Sequence, residues 1–130
     1  MIFFHRIAMG ILVMYWIALF LGTHLPVRGV STVNDKTLHF LAFAGLSFLL
    51  AWAVAAFRPT WRLLVFVLVI TVTYGAFDEV TQMLVPRRHA DIWDWMANIV
   101  GGSVGIACYL ICLAALASVW PRIFRHSAQP

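Results

Sequence analysis

The chain has 130 residues, of which 63% are hydrophobic and 11% charged, with a formal net charge of +4 and a mean hydropathy of +0.92. Soluble domains carry about 25% charged residues, so this composition cannot cover a water-facing surface, and an ordinary soluble protein is excluded. The basic balance does not point to nucleic acid either, because the arginines flank apolar runs and form no stripe for a phosphate backbone to follow.

Four apolar runs succeed one another, each near the roughly 17–25 residues that a helix needs to cross a bilayer. The first, Ile7 to Thr23, is uncharged, with Arg6 before it and Pro26 after it. No small-x-small cleavage site follows, so it is expected to be a retained span and not a secretory signal. The second, Leu38 to Phe57, has His39 as its one ionisable residue, and Asn34 or Asp35 stands ready to cap its start. The third, Leu63 to Val85, contains Asp78 and Glu79 and is closed by Pro86. The fourth, Trp95 to Trp120, carries no charge. Short links, "RPTWR" and "PRRHADIWD", join the second run to the third and the third to the fourth. The expected fold is all-α: a polytopic membrane protein, a four-transmembrane-helix bundle, one unit over 1–130 with spans near 7–23, 38–57, 63–85 and 95–120.

All five acidic residues fall in three stretches, "NDKTLHF", "YGAFDEVTQMLVPRR" and "RRHADIWDWMANIVGG". With four spans, these stretches must lie at the same membrane face, whichever way the protein is oriented. At 100° per residue, Asp91, Asp94, Asn98, Gly101, Gly102 and Gly105 share one face of the fourth span. Trp93, Met96, Val100 and Val104 lie opposite, towards lipid. Gly75, Asp78, Glu79 and Gln82 make a similar arc on the third span, and Asp35 and His39, four apart, align on the second. Asp78 and Glu79 sit about two turns below Pro86, on the order of 10 Å into the membrane. An acidic residue at a helix centre costs about 2.5–3.5 kcal/mol, less nearer the interface, so both need partners, a proton or a task. Lys36, Arg87, Arg88 and His39 are the candidate partners. The competing reading is an ion-pair and hydrogen-bond network that only fixes helix packing. Gly101 and Gly105 have GxxxG spacing, a packing device along which two copies could also dimerise.

Lys and Arg orient the bundle by a narrow margin, with Arg6, Arg58, Arg62, Arg122 and Arg125 on one side and Arg28, Lys36, Arg87 and Arg88 on the other. The positive-inside rule then puts both termini in the cytoplasm, and Thr23–Thr37 and Pro86–Asp94 outside. Trp61 and Trp120 would mark the inner interface, and Trp93 and Trp95 the outer.

The order of "DKTLHF", "EVTQ" and "RHADIWDWMANIVG" resembles the VanZ-like family of small bacterial membrane proteins, over about Asp35 to Gly105. The motif positions are Asp35, Lys36, His39, Glu79, Gln82, Arg88, Asp91, Asp94, Asn98 and Gly102; Asp78 and Arg87 lie outside the pattern. The family takes its name from a member in glycopeptide-resistance gene clusters that lowers susceptibility to teicoplanin. The resemblance implies a protein of the bacterial inner membrane and cell envelope.

The site chemistry expected from these residue types is enzymatic action on a lipid or lipid-linked headgroup at the outer face. Arg88, with Arg87 or Lys36, would hold a phosphate or carboxylate. Glu79 or Asp94 would be the general base and His39 the proton donor or acceptor, with Gln82 and Asn98 orienting the substrate beside Asp35 and Asp91. The alternative is a non-catalytic protein that binds an envelope lipid or a partner. No cofactor is expected and no metal ligand is assigned. The cluster is nonetheless rich in oxygen donors, and a divalent cation such as Mg²⁺ or Mn²⁺ would suit it better than Zn²⁺. Expected partners are membrane lipids, a lipid-linked envelope precursor and a second copy of the chain, with no nucleic acid. Cys108 and Cys112 read as reduced thiols in the fourth span. His5, His24 and His126 read as interfacial or tail residues, and His89 as a solvated loop residue.

Overall fold

The structure is a computed structural model that describes residues 2–25, 34–55, 59–86 and 88–126, with side chains described from His5 to Val119 within those ranges. Four helices make up the fold: α1 Ile2–His24, α2 Asp35–Val54, α3 Trp61–Gln82 and α4 Ile92–His126. No strand occurs among the described residues. Arg28, Arg58 and Arg87 lie outside the described residues, as do the side chains of Trp120, Arg122 and Arg125.

Helix starts are set by capping groups, and for that reason α2, α3 and α4 begin before the apolar runs do. Asn34 Oδ1 accepts the Lys36 amide at 3.1 Å. Thr60 Oγ1 accepts the Leu63 amide at 3.3 Å, and Asp91 Oδ1 accepts the Trp93 amide at 2.8 Å. Each side chain satisfies an amide that the first helical turn leaves without a partner. The end of α3 comes earlier than the expected Val85. Past Gln82 the chain tightens into turns, with Leu84 N donating to Thr81 O at 3.0 Å and Val85 N to Gln82 O at 2.9 Å. Pro86 disfavours helical geometry in the residue before it. Likewise α2 stops at Val54, short of Phe57, while α4 runs beyond Trp120 to His126.

The closest pairing is α2 with α4. A Cβ built on Gly101 would meet the Phe40 carbonyl, and one on Gly105 the Ala44 carbonyl. The two backbones therefore touch along the GxxxG stripe. Beside them, Ser47 Oγ and Thr71 Oγ1 are 3.1 Å apart across α2 and α3, next to Gly102. Phe43, Leu46, Val67 and Tyr109 complete a fully buried centre. Trp95, expected at the outer interface, turns inward and donates its indole N–H to Val72 O at 3.1 Å.

Attachment of α1 is lighter, and its buried hydrophobic residues are Leu12 and Leu19. Tyr15 donates to Ala42 O at 2.8 Å, in space that Gly45 leaves free, and Trp16 meets Tyr74 edge to face at 5.0 Å. The outer surface is apolar: Val65, Phe66, Val69, Phe77, Trp93 and Ile111 are all exposed, and so are Cys108 and Cys112. All four helices are long and apolar enough to cross a membrane. The molecule is an all-α polytopic membrane protein. Because the Gly101–Gly105 face is buried against α2, a homodimer would need a different surface from the one expected.

Apolar helices in lipid gain no hydrophobic attraction for each other, so close packing and interhelical hydrogen bonds hold them. Helix propensity favours Ala over Gly by about 1 kcal/mol. Overpacking typically costs about 1–3 kcal/mol, and a backbone carbonyl has no rotamer by which to yield. Gly105→Ala is therefore expected to lower the thermal unfolding midpoint in detergent. Gly10→Ala, where nothing lies within 4 Å of the added carbon, should leave it unchanged or raise it.

Candidate functional site at one end of the bundle

The ends of α1 and α3 meet the starts of α2 and α4, and all five acidic side chains gather there with His24, Lys36, His39 and Arg88. Three linked groups can be distinguished. In the first, Lys36 Nζ lies between two carboxylates of the α4 start, 2.7 Å from Asp91 Oδ2 and 2.8 Å from Asp94 Oδ1. Asp94 is buried while Lys36 remains partly open to solvent. This clamp joins the first turns of α2 and α4.

The second group surrounds Asp78, which is fully buried. Its Oδ1 accepts from Thr23 Oγ1 at 2.8 Å and its Oδ2 from Gln82 Nε2 at 2.8 Å. Gln82 Oε1 in turn accepts from Arg88 Nη1 at 2.8 Å. His24 stands at the edge, its Nε2 2.9 Å from Thr81 Oγ1 and its Nδ1 3.8 Å from Asp78 Oδ1.

The third group is His39, Glu79 and Asn98, all buried. His39 Nδ1 lies 3.1 Å from Asn98 Oδ1 and 3.5 Å from Glu79 Oε1. Glu79 Oε2 accepts the backbone N–H of Asp91 at 3.1 Å, which ties α3 to the start of α4. Gly75 makes room for this meeting, since a Cβ there would lie 3.2 Å from both Asn98 Cβ and the Phe43 ring. Buried polar atoms normally have partners. Here Glu79 Oε1, Asn98 Nδ2 and Arg88 Nε are buried without a hydrogen-bond partner. The bundle satisfies Asp78 and clamps Asp94, yet leaves capacity in these three.

A cavity of about 250 Å³ opens onto the same groups, lined by Leu19, Gly22, Thr23, Asp35, Leu38, His39, Ala42 and Arg88. Its walls belong chiefly to α1 and α2. The lining is mainly apolar, with Leu19, Leu38 and Ala42 in it, and Thr23, Asp35, His39 and Arg88 add a few polar atoms.

All nine expected site residues, Asp35, Lys36, His39, Glu79, Gln82, Arg88, Asp91, Asp94 and Asn98, stand at this end, though in unequal circumstances. Lys36 is engaged by Asp91 and Asp94, and Gln82 by Asp78 and Arg88. Asp35 is exposed at the cavity rim. Asp78, which lies outside the family motif, is the most buried carboxylate of the group. His89 is exposed, as a loop histidine should be. Sequence reasoning missed Thr23 and His24. The same parity that gathers the acidic stretches also brings the end of α1 to this face, so "GTH" before Pro26 carried the signal.

A helical membrane protein whose buried carboxylates, imidazole and guanidinium meet at one end is the class that fold and site define. The chain matches the VanZ/LLP1 family over residues 2–113 and belongs to it. That match takes in α1 as well as the three motif-bearing helices. No curated protein and no solved structure matches the chain.

Asp91 lies just outside the spans, and its carboxyl is held below its ordinary value of 3.8, first by the hydrogen bond from Lys36 and then by the Trp93 amide. A depressed folded-state value stabilises the fold above the ordinary value, and the contribution is lost as pH falls through the lower one. Acid titration of the unfolding midpoint should therefore show a decline that begins below about pH 4. Lys36→Met should lower the midpoint at pH 7 and flatten that acid limb.

Proposed function

We propose that the protein binds the phosphate-bearing headgroup of a lipid or lipid-linked envelope precursor in the α1–α2 cavity and acts on it at His39 and Glu79. The site is assigned to the outer face of the bacterial inner membrane, with both termini cytoplasmic. One observation carries the reading: a buried Arg88 Nε without an acceptor, on a residue that lines a mainly apolar cavity beside His39. A guanidinium fork matches phosphate geometry, and the apolar lining of Leu19, Leu38 and Ala42 suits the hydrocarbon chain of a lipid. His39 lines this cavity from α2, and Glu79 and Asn98 stand behind it, 3.5 Å and 3.1 Å from its Nδ1, so they act on the headgroup through the imidazole. The family's association with teicoplanin susceptibility fits an envelope substrate. The internally satisfied pairs, Lys36 with Asp91 and Asp94, and Asp78 with Thr23 and Gln82, fit the second reading, a binding protein without turnover.

Binding of short-chain phosphatidylglycerol to the purified protein in detergent distinguishes these readings. A hydrogen bond to a charged group contributes about 1.5–3 kcal/mol, so Arg88→Ala should weaken binding about 10- to 100-fold, with Arg88→Lys between the two. Equal binding by wild type and Arg88→Ala would remove the headgroup assignment. On the enzymatic reading, Glu79→Gln retains binding and abolishes headgroup turnover; a wild type that binds but turns over no lipid leaves the second reading in place.

Topology has its own test. A periplasmic reporter fused after Val85 should be active and one fused after Phe57 silent; the reverse pattern moves the site to the cytoplasmic face.

A further inference from the structure

We infer that His39, Glu79 and Asn98, with Asp78 adjacent, form a seat for one divalent cation. This deepens the proposed function, since it assigns the reactive pair a ligand, and it makes Glu79 a metal ligand in place of a proton acceptor.

Geometry comes first. The 3.5 Å between His39 Nδ1 and Glu79 Oε1 is beyond a good hydrogen bond. Cis donors on an octahedral cation at roughly 2.1 Å stand about 3.0 Å apart, so a closure of about half an ångström would let His39 Nδ1 and Glu79 Oε1 share one ion. Asn98 Oδ1, 3.1 Å from the same nitrogen, is a third donor of the carbonyl type that hard cations accept. One ligand atom each from His39, Asp78 and Glu79 lies within 4.8 Å of the others, and all three residues are buried.

Glu79 supplies a separate observation. The residue is only 5% exposed, and its Oε1 has no hydrogen-bond partner. An ionised oxygen in that position is costly unless it is paired. Its sister atom Oε2 is already held by the Asp91 amide, so Oε1 is fixed in place and turned towards the imidazole.

Charge agrees with this. Among the described residues, the site gathers five carboxylates, Asp35, Asp78, Glu79, Asp91 and Asp94, against the permanent positive charges of Lys36 and Arg88. Lys36 is taken by Asp91 and Asp94. A doubly charged ion beside Glu79 and Asp78 would offset most of what is left, and the cavity that reaches His39 provides an entry path. A second set, Asp35, His39 and Asp94, is also compact enough. Its Asp35 is exposed and its Asp94 is committed to Lys36, so it lacks a buried oxygen without a partner. Oxygen donors with a single imidazole favour Mn²⁺ or Mg²⁺ over thiolate-seeking ions.

Mn²⁺ is the probe. Full-length protein in detergent is stripped with EDTA and titrated with Mn²⁺, while electron paramagnetic resonance follows the free-ion signal and any ¹⁴N coupling to the bound ion. The seat requires saturable binding of one Mn²⁺ per chain, a coupled imidazole nitrogen, and a rise in the unfolding midpoint. Glu79→Gln should weaken binding at least ten-fold. Absence of saturable binding by folded wild-type protein overturns the inference, as does a bound ion without nitrogen coupling or an affinity unchanged in Glu79→Gln. If Glu79→Gln does not fold, the nitrogen coupling in wild type decides. None of these readouts involves lipid, so a failed cation seat leaves headgroup binding by Arg88 standing, and a failed headgroup test leaves the seat standing.

Discussion

Gly101 and Gly105 let α4 lie directly on the Phe40 and Ala44 carbonyls of α2, and the polar end takes its geometry from that contact. With the axes this close, Asn98 arrives beside His39 and, a turn earlier, Asp94 beside Lys36. A methyl group at either glycine would force the axes apart, when a change of a few tenths of an ångström already matters to a hydrogen bond. The packing seam and the site are therefore one construction. The Lys36 clamp closes it at the membrane surface, and Ser47 with Thr71 continues it towards the centre.

Within that frame the polar residues divide by how fully the protein occupies them. Asp78 is held by Thr23 and Gln82, so it fastens α1 to α3. Asp91 and Asp94 fasten α4 to α2 through Lys36. Glu79, Asn98 and Arg88 each retain an atom with no partner, and these three stand close to His39 or to the cavity beside it. A network built for packing alone would be expected to close on itself, because a buried polar group without a partner costs about 1–3 kcal/mol.

Most of the fold was legible in the sequence because lipid imposes few solutions. Apolar runs of spanning length have to be helices, and their number fixes which connections share a face. Helical spacing then placed Asp94, Asn98 and the glycines on one side of α4, and Gly75, Asp78, Glu79 and Gln82 on one side of α3; except for Asp91, which is half-buried, every residue of both arcs is buried. Helix ends were less legible, since hydropathy reports where lipid begins whereas Asn34, Thr60 and Asp91 report where hydrogen bonding begins. Within the site, residue types gave membership without pairings. Lys36 could have met a substrate, yet it meets Asp91 and Asp94. Asp78 stood outside the motif and proves to be the anchor for α1. Trp95 looked like an interfacial aromatic, and its N–H is used against Val72 O. Such choices depend on the depth and rotation of each helix, which no periodicity specifies.

The helices also differ in length, and this affects how the molecule sits in a bilayer. The 20 residues of α2 rise about 30 Å, close to the hydrocarbon thickness, whereas the 28 from Ile92 to Val119 rise about 42 Å. Both helices start level at the polar end, where Lys36 joins them, so the surplus of α4 lies wholly at the opposite end. Hydrophobic mismatch is thus absorbed far from the reactive groups: a thicker or thinner membrane changes how much of the α4 tail it covers, while the depth of His39 and Glu79 below their own surface stays fixed.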